Sequence, residues 1–138
     1  MTIDKQALRE AADAASETSW GRWESYHPHK GARGYEVKVG VKAISQHCLK
    51  VDSVFIALAN PATVLALLDE LEAAEKRNTE FNEALKQAVS GYKSCLRTGY
   101  ERIIELGGDC DSPEVMIAGN PDIQQAEKLL AAAASKGE

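Results

Sequence analysis

Histidine and cysteine side chains that could bind a metal lie in two short segments of the sequence. His27-Pro28-His29 places two imidazoles in a glycine-rich loop, and His47-Cys48 adds a third imidazole and a thiol. A protein zinc site takes three or four ligands, so the two segments would have to meet in space. Solvated loop histidines are the simpler interpretation. We therefore predict no metal site.

Carboxylates cluster in a second segment, where Asp109, Asp111 and Glu114 surround Cys110. The ligand spacing of a calcium-binding EF-hand loop is absent, and acidic residues are favourable at a helix N-terminus. No nucleophile elbow, phosphate-binding loop or HExxH motif occurs. Three widely spaced cysteines are typical of reduced thiols. The sequence therefore predicts a protein that is not an enzyme, with no catalytic residues and no cofactor.

The composition is that of one ordinary globular domain. The chain has 138 residues, of which 44% are hydrophobic and 27% charged, with a net charge of −5. This balance excludes a wholly cationic nucleic-acid coat. No run of about 18 apolar residues occurs, so we expect no transmembrane helix and no membrane association. The N-terminal MTIDKQALRE is charged where a signal peptide is apolar, and secretion is not expected.

The charge is uneven along the chain. Residues 1–50 carry 8 basic and 6 acidic side chains, whereas residues 51–138 carry 8 basic and 15 acidic ones. Basic residues in the first part alternate with Trp23, Tyr26 and Tyr35, a composition that can contact phosphates and stack on bases. The candidate nucleic-acid residues are Arg22, Lys30, Arg33, Lys38 and Lys42. A solvated strand face is the alternative for the lysines.

The first 60 residues predict a small α+β head. Residues 2–15 have alanine and leucine at helical spacing, with Thr2 as the expected N-cap. Residues 35–43 alternate apolar and polar side chains, which is typical of a half-buried strand. Residues 20–26 and 47–51 are expected to be its neighbours, with a loop at 27–34. One face of such a sheet must be buried against another element, and we predict that the N-terminal helix packs on it.

A long helix is predicted over residues 62–106. A short apolar helix, VFIALA at 54–59, precedes Asn60-Pro61, where Asn serves as N-cap and Pro occupies the first helical position. Apolar residues then recur at steps of three and four, the pattern of a coiled coil with one stutter. The predicted oligomer interface comprises Leu67, Leu71, Ala74, Asn78, Phe81, Leu85, Val89, Tyr92, Leu96 and Ile103. A buried Asn78 would set the register and oligomer state.

The length of this helix supports self-association. At 1.5 Å per residue it spans about 68 Å, whereas a compact domain of this size has a radius of gyration near 14 Å. We therefore expect it to project and to pair with another chain, as a dimer or tetramer. The alternative is a hairpin broken at Gly91 or Gly99. Pairing could be parallel or antiparallel.

Short helices are predicted after Gly107-Gly108, which is a helix stop. Asp111 or Ser112 can cap a helix that has Pro113 in its first turn, and Asn120-Pro121 repeats the earlier helix start. The predicted fold is thus an α+β head at 1–60, an oligomerising helix at 61–106, and a helical C-terminal element with a frayed tail at 107–138.

Two blocks of sequence resemble the Ead-like family of lambdoid phage early-region proteins. They are DKQALREAADAA at 4–15 and FIALANPATVLALLDELEAAEKR at 55–77. LGGDCDSPEVMIAGNPD at 106–122 is similar to C-terminal segments of such proteins. The basic segment 16–51 shows no close resemblance.

The resemblance implies a phage or prophage accessory protein made early in infection. It implies action in the host cytoplasm, a link to the choice between lysis and lysogeny, and oligomerisation through the long helix. It brings no catalytic residues. The sequence thus favours a non-enzymatic accessory regulator that self-associates and binds a host or phage protein. The alternative is an oligomer that binds nucleic acid through the basic head.

Overall fold

The structure is a computed structural model that describes residues 1–135. It confirms the α+β class. The chain divides into two compact units, Met1–Ala73 and Ala74–Glu138. The elements in chain order are α1 (Lys5–Thr18), β1 (Trp23–Tyr26), β2 (Tyr35–Val39), β3 (Lys42–Cys48), α2 (Lys50–Leu58), α3 (Pro61–Glu105), α4 (Pro113–Gly119) and α5 (Pro121–Ala134).

The first helix begins later than the sequence pattern indicates. The Asp4 carboxylate accepts a hydrogen bond from the backbone N–H of Ala7 at 2.9 Å, so Asp4 is the N-cap and the prediction of Thr2 is wrong. A carboxylate at this position also interacts favourably with the helix dipole. The helix continues to Thr18, three residues beyond the predicted end at residue 15.

Three antiparallel strands form the sheet in the order β1-β2-β3. The predicted single strand at 35–43 is wrong, because the chain reverses at Gly40-Val41 and β3 runs back along β2. Gly40 has φ +56°, the positive value that a two-residue hairpin turn requires at its first central position. Val41 is fully exposed at the tip, whereas Val37 in the central strand is fully buried.

The helix that packs on the sheet is α2, and it contacts all three strands. The prediction that the N-terminal helix covers the sheet is therefore wrong. The expected strand at 47–51 also ends early, because β3 stops at Cys48 and residues 50–58 are helical. Ser53 and Ala57 are the buried residues of α2. Their small size allows the helix backbone to lie close to the strands.

A hydrogen bond in this layer joins α2 to the edge strand β1. The hydroxyl oxygens of Ser53 and Ser25 are 2.6 Å apart, and the Ser53 hydroxyl also lies 2.8 Å from the carbonyl oxygen of Lys50. Ser53 is fully buried. A buried hydroxyl without partners would cost free energy, and these two contacts satisfy that of Ser53.

An ion pair ties the first helix to α3. The Arg9 guanidinium lies 2.9 Å from Asp69 and 3.2 Å from Glu72. Hydrogen bonding to Asp69, with the charge of Glu72, raises the pKa of Arg9 above its ordinary value. Ala12, three residues after Arg9, and Leu68, next to Asp69, are both buried. Arg9 thus links α1 to α3.

The long helix is continuous from Pro61 to Glu105, which confirms the predicted element to within one residue at each end. The Asn60 side chain accepts a hydrogen bond from the backbone N–H of Thr63 at 3.1 Å, as expected of an N-cap. Neither Gly91 nor Gly99 interrupts the helix. Gly107, with φ +77°, ends it.

The C-terminal helices follow their predicted caps. The Ser112 hydroxyl accepts a hydrogen bond from Val115, and the Asn120 side chain accepts from Asp122 and Ile123. Residues 136–138 of the predicted tail lie outside the described residues. Among residues 1–135, no single helix is both long and apolar enough to cross a membrane. The helices α2 and α3, with a bend of 55° at the break between them, reach that length and hydropathy only when they are taken together.

The Ser25–Ser53 pair provides a stability test. We expect Ser53→Ala to lower the free energy of unfolding by about 1–3 kcal/mol, because it leaves the half-buried Ser25 hydroxyl without its partner. The double variant Ser25→Ala/Ser53→Ala should lose less than the sum of the two single variants. Urea unfolding at fixed protein concentration measures the three values, with the exposed Ser90→Ala as the control. Strict additivity would contradict a coupled hydroxyl pair.

Candidate functional site

The first half of the predicted oligomer interface is open to solvent. Leu67 and Phe81 expose 60% and 71% of their surface, and Leu71 exposes 42%. Ala74 and Asn78, which lie between them in the heptad pattern, are exposed as well. These five residues of α3 are called the exposed stripe below. Apolar side chains at heptad spacing can insert as knobs between the residues of a facing helix.

The second half of the predicted interface meets another part of the same chain. Leu85, Val89 and Tyr92 line a cavity of about 300 Å³ whose opposite wall is formed by Ile123 and Ala126 of α5. Leu85 and Val89 are half-buried there. Leu96 is half-buried, and Ile103 is 40% exposed. The structure therefore brings part of the predicted seam against α5.

Polar contacts fix the direction of this helix pair. Lys93 forms an ion pair with Glu127, and the Asn120 side-chain amide donates a hydrogen bond to the Tyr92 hydroxyl at 3.3 Å. Farther along, Lys86 and Leu130 line one shared cavity. Later residues of α5 thus lie beside earlier residues of α3, which shows that the two helices are antiparallel.

Sequence reasoning missed α5 as the partner of α3. The signal was present in the spacing of Ile123, Ala126, Leu130 and Ala133, which recur at steps of three and four. These four residues are buried or half-buried, in contrast to the exposed Leu129. A heptad pattern on α3 alone does not distinguish a partner helix in the same chain from one in another chain.

Two basic residues of the head, Arg22 and Lys38, have acidic or aromatic neighbours. Arg22 lies 3.6 Å from the Glu24 carboxylate. The Lys38 ammonium stands 3.7 Å from the centre of the Tyr26 ring, and Lys38 is opposite Glu24 in the strand register. The outer face of the sheet is therefore of mixed charge.

Lys42 is bound to the end of α1. Its ammonium group donates hydrogen bonds to the Thr18 carbonyl at 2.9 Å and to the Ser19 hydroxyl at 3.0 Å. A cation at a helix C-terminus is favourable because the free carbonyls there carry partial negative charge. Lys42 thus links the C-terminus of α1 to the first residue of β3.

The remaining two basic residues, Lys30 and Arg33, lie in the loop between β1 and β2. Arg33, His29, Glu36 and His47 line an open cavity of about 360 Å³. His47 has φ +60°, rare for a residue with a side chain, and its Nδ1 is 3.3 Å from the Arg33 carbonyl oxygen.

The two histidines of His27-Pro28-His29 have different surroundings. His27 packs against the Tyr35 ring, with ring centres 4.8 Å apart, while His29 faces the loop cavity. Within residues 1–135, no three His, Cys, Asp or Glu side chains come close enough to hold a metal ion. Cys48, Cys95 and Cys110 are free thiols.

The sequence matches the Ead/Ea22-like protein family over residues 1–136. The chain belongs to this family. The match includes the basic segment 16–51, which by itself showed no close resemblance. Ead/Ea22-like membership indicates a phage accessory protein. No curated protein and no solved structure matches the chain.

In this Ead/Ea22-like chain, two apolar surfaces of α3 therefore differ in whether another helix of the same chain faces them. The exposed stripe has no apolar cover among the described contacts of α3, whereas the face at Leu85 and Val89 lies across one cavity from α5. Only the first is available to another chain without displacing α5. The stripe is thus the stronger candidate for a binding surface.

The α3–α5 contact can be tested at Ile123, which is 3% exposed. We expect Ile123→Ala to cost about 2–5 kcal/mol, because it removes three carbons from the most buried position of α5. Hydrogen exchange of the α5 amides should then rise sharply. Leu129→Ala, at an exposed position of the same helix, is the matched control and should change exchange little. Equal effects of the two variants would contradict the packing described for α5.

Proposed function

We propose that this protein is a non-enzymatic phage or prophage accessory regulator that self-associates through the exposed stripe of α3. The oligomer, a dimer or tetramer, acts in the host cytoplasm by binding a host or phage protein, and through that partner it influences the choice between lysis and lysogeny. The observation that carries the proposal is the exposure of Leu67, Leu71 and Phe81 at heptad spacing. Family membership supports the accessory role.

The energetics of the stripe favour pairing with another helix. Full burial of a Leu or Phe side chain contributes about 1.5–3 kcal/mol, and three such residues on each chain are only partly buried by the chain itself. Association must also offset lost translational and rotational freedom, estimated at about 4–15 kcal/mol. Six side chains from two copies are of the right order to do so. Asn78, in the middle of the stripe, then selects the register.

The mixed charge of the head supports a protein partner over a nucleic acid. Arg22 and Lys38 both lie beside Glu24, and Lys42 binds the end of α1. A nucleic-acid surface gains affinity from releasing counterions at several unpaired cations. A side chain already matched with a carboxylate or a helix end contributes less to such a gain.

Light scattering of the purified chain tests self-association. We expect the wild type to have the mass of a dimer or tetramer and Leu71→Glu to have a lower mass at the same concentration, because a carboxylate would be buried in the helix seam. Val41→Glu adds the same charge at a fully exposed turn and should keep the wild-type mass. A monomeric wild type would overturn the proposal.

The same variants distinguish the regulatory role from nucleic-acid binding by the head. Leu71→Glu should alter the fraction of infected cells that become lysogens, whereas Val41→Glu should not. Binding to duplex DNA that weakens steeply with added salt would instead assign the head to nucleic acid.

Asn78 gives an independent test of the stripe. Replacing it by leucine should raise the melting temperature and broaden the distribution of oligomer sizes, since a buried polar residue trades stability for a single register. Calorimetry and sedimentation velocity measure the two effects. If both the melting temperature and the size distribution stay unchanged, Asn78 faces water and the seam is wrong.

A further inference from the structure

The strand β1 forms an open, regular edge of the sheet. Among residues 1–135 the strand order is β1-β2-β3, so β1 is paired on one side only. Its pairing with β2 keeps a single register from Trp23 to Tyr26. The other edge strand, β3, has register shifts and the positive φ of His47, and irregularities of this kind disfavour pairing with a further strand. The edge at β1 is therefore the one to which a strand can be added.

The alternation of the backbone shows which groups of β1 face outward. Val39 precedes a two-residue turn, and the residue at this position exchanges both hydrogen bonds with the opposite strand, here β3. The N–H and C=O groups of Lys38 then point toward β1, where Lys38 pairs with Glu24. Those of Trp23 and Ser25 consequently point away from the sheet, and no loop or turn within residues 1–135 bonds to them. The backbone of an extended peptide supplies the complementary donors and acceptors.

A groove lies along this edge between β1 and α2. Its cavity of about 410 Å³ is lined on the strand by Trp23 and Ser25 and on the helix by Val54 and Leu58. The two helix residues are 41% and 68% exposed and therefore have apolar surface left to bury. On an added strand, the residues opposite Trp23 and Ser25 direct their side chains to the same face of the sheet, toward α2. Two apolar side chains at alternate positions thus fit the groove.

The charges beside the groove indicate the other side chains of the added strand. Arg22 and Glu24 also line the cavity, with side chains 88% and 53% exposed. Glu24 lies opposite Lys38 in the strand register, so a basic residue on the added strand gives Glu24 a cation on both sides. An acidic residue two positions later lies opposite Arg22. Opposite charges at facing positions stabilise a strand pair, and like charges destabilise it.

We propose that β1 binds an extended segment of another protein as an added antiparallel strand with the pattern apolar-basic-apolar-acidic. The antiparallel direction continues the pairing of the existing sheet. In that direction the two apolar residues lie opposite Ser25 and then Trp23. The basic residue between them lies opposite Glu24, and the acidic residue lies opposite Arg22.

This site gives the protein partner of the proposed function a defined chemistry, and its biological role rests on that function. The groove is lined by β1, its preceding residue, α2 and Asn60, and it includes no residue of the exposed stripe. Peptide binding and self-association can therefore be measured, and can fail, independently of each other.

Fluorescence anisotropy with a labelled peptide tests the charge pattern. The probe is fluorescein-GTVKVETG-amide, and the control, fluorescein-GTVEVKTG-amide, exchanges its lysine and glutamate. We expect the wild-type chain to bind the probe about tenfold more tightly than the control, because the exchange creates like-charged pairs at both positions. The variant Arg22→Glu/Glu24→Arg should reverse this preference. Equal affinity for the two peptides, or binding of neither, would overturn the proposal.

Backbone methylation tests whether the peptide binds as a strand. Methylating the two valine amides of the probe should weaken binding about tenfold, because these N–H groups face β1, whereas methylating the lysine and glutamate amides is the matched control. In the protein, peptide binding should slow hydrogen exchange of the Trp23 and Ser25 amides. Equal affinity of the two methylated peptides contradicts strand addition. Protection of the same amides that rises with protein concentration, without peptide, assigns the edge to a second copy and also overturns the proposal.

A groove variant distinguishes this site from the self-association surface. Leu58→Glu should lose peptide binding and keep the wild-type mass in light scattering, because it places a carboxylate in the apolar groove. Leu71→Glu should bind the peptide with unchanged affinity, whatever its mass. Val41→Glu is the control for added charge, and circular dichroism should show that each variant keeps its helix content. Full peptide affinity in Leu58→Glu would place the peptide elsewhere and refute the groove.

Discussion

The contact of α2 with all three strands, which encloses the hydrogen bond between Ser25 and Ser53, organises the first unit. It buries the polar, small-residue side of α2 on the sheet, with the two hydroxyl oxygens 2.6 Å apart. The pair satisfies both hydroxyl groups inside this layer, where an unpartnered buried hydroxyl would cost free energy. Small residues, Ser53 and Ala57, thus form the inner face of α2, and Phe55 and Leu58 face outward.

The starts of α3, α4 and α5 were predictable from the sequence because their determinants are local, whereas α1 begins after Asp4 and not after the predicted Thr2. Asn60, Ser112 and Asn120 each satisfy backbone N–H groups within three residues, so neighbouring residues suffice to identify them. The turn at Gly40-Val41 was missed for a related reason. Alternation of apolar and polar side chains continues through a two-residue hairpin, and only the positive φ of Gly40 distinguishes the turn from an extended strand.

Tertiary partners were not predictable in the same way. The apolar stripe of α1 and the heptads of α3 each showed that a face is buried, but not against what. The structure pairs α1 with α3 through Arg9, places α2 on the sheet, and packs Val89 beside Ile123. Likewise, the excess of basic residues in the head said nothing about neighbours. Strand register sets Glu24 opposite Lys38, which a count of charges along the chain does not reveal.

The position of α5 limits how α3 can associate. Since Leu85 and Val89 face Ile123 and Ala126 across one cavity, a coiled coil over the whole predicted seam would have to displace α5 and break the Lys93–Glu127 ion pair. Pairing confined to Leu67–Phe81 requires no such rearrangement. A seam of this length, roughly 21 Å at 1.5 Å per residue, is only two heptads long. With three large apolar side chains in each copy, much of the free energy of their burial offsets the translational and rotational freedom that association removes. The register that Asn78 selects therefore matters more in this short seam than it would in one that ran the whole length of α3.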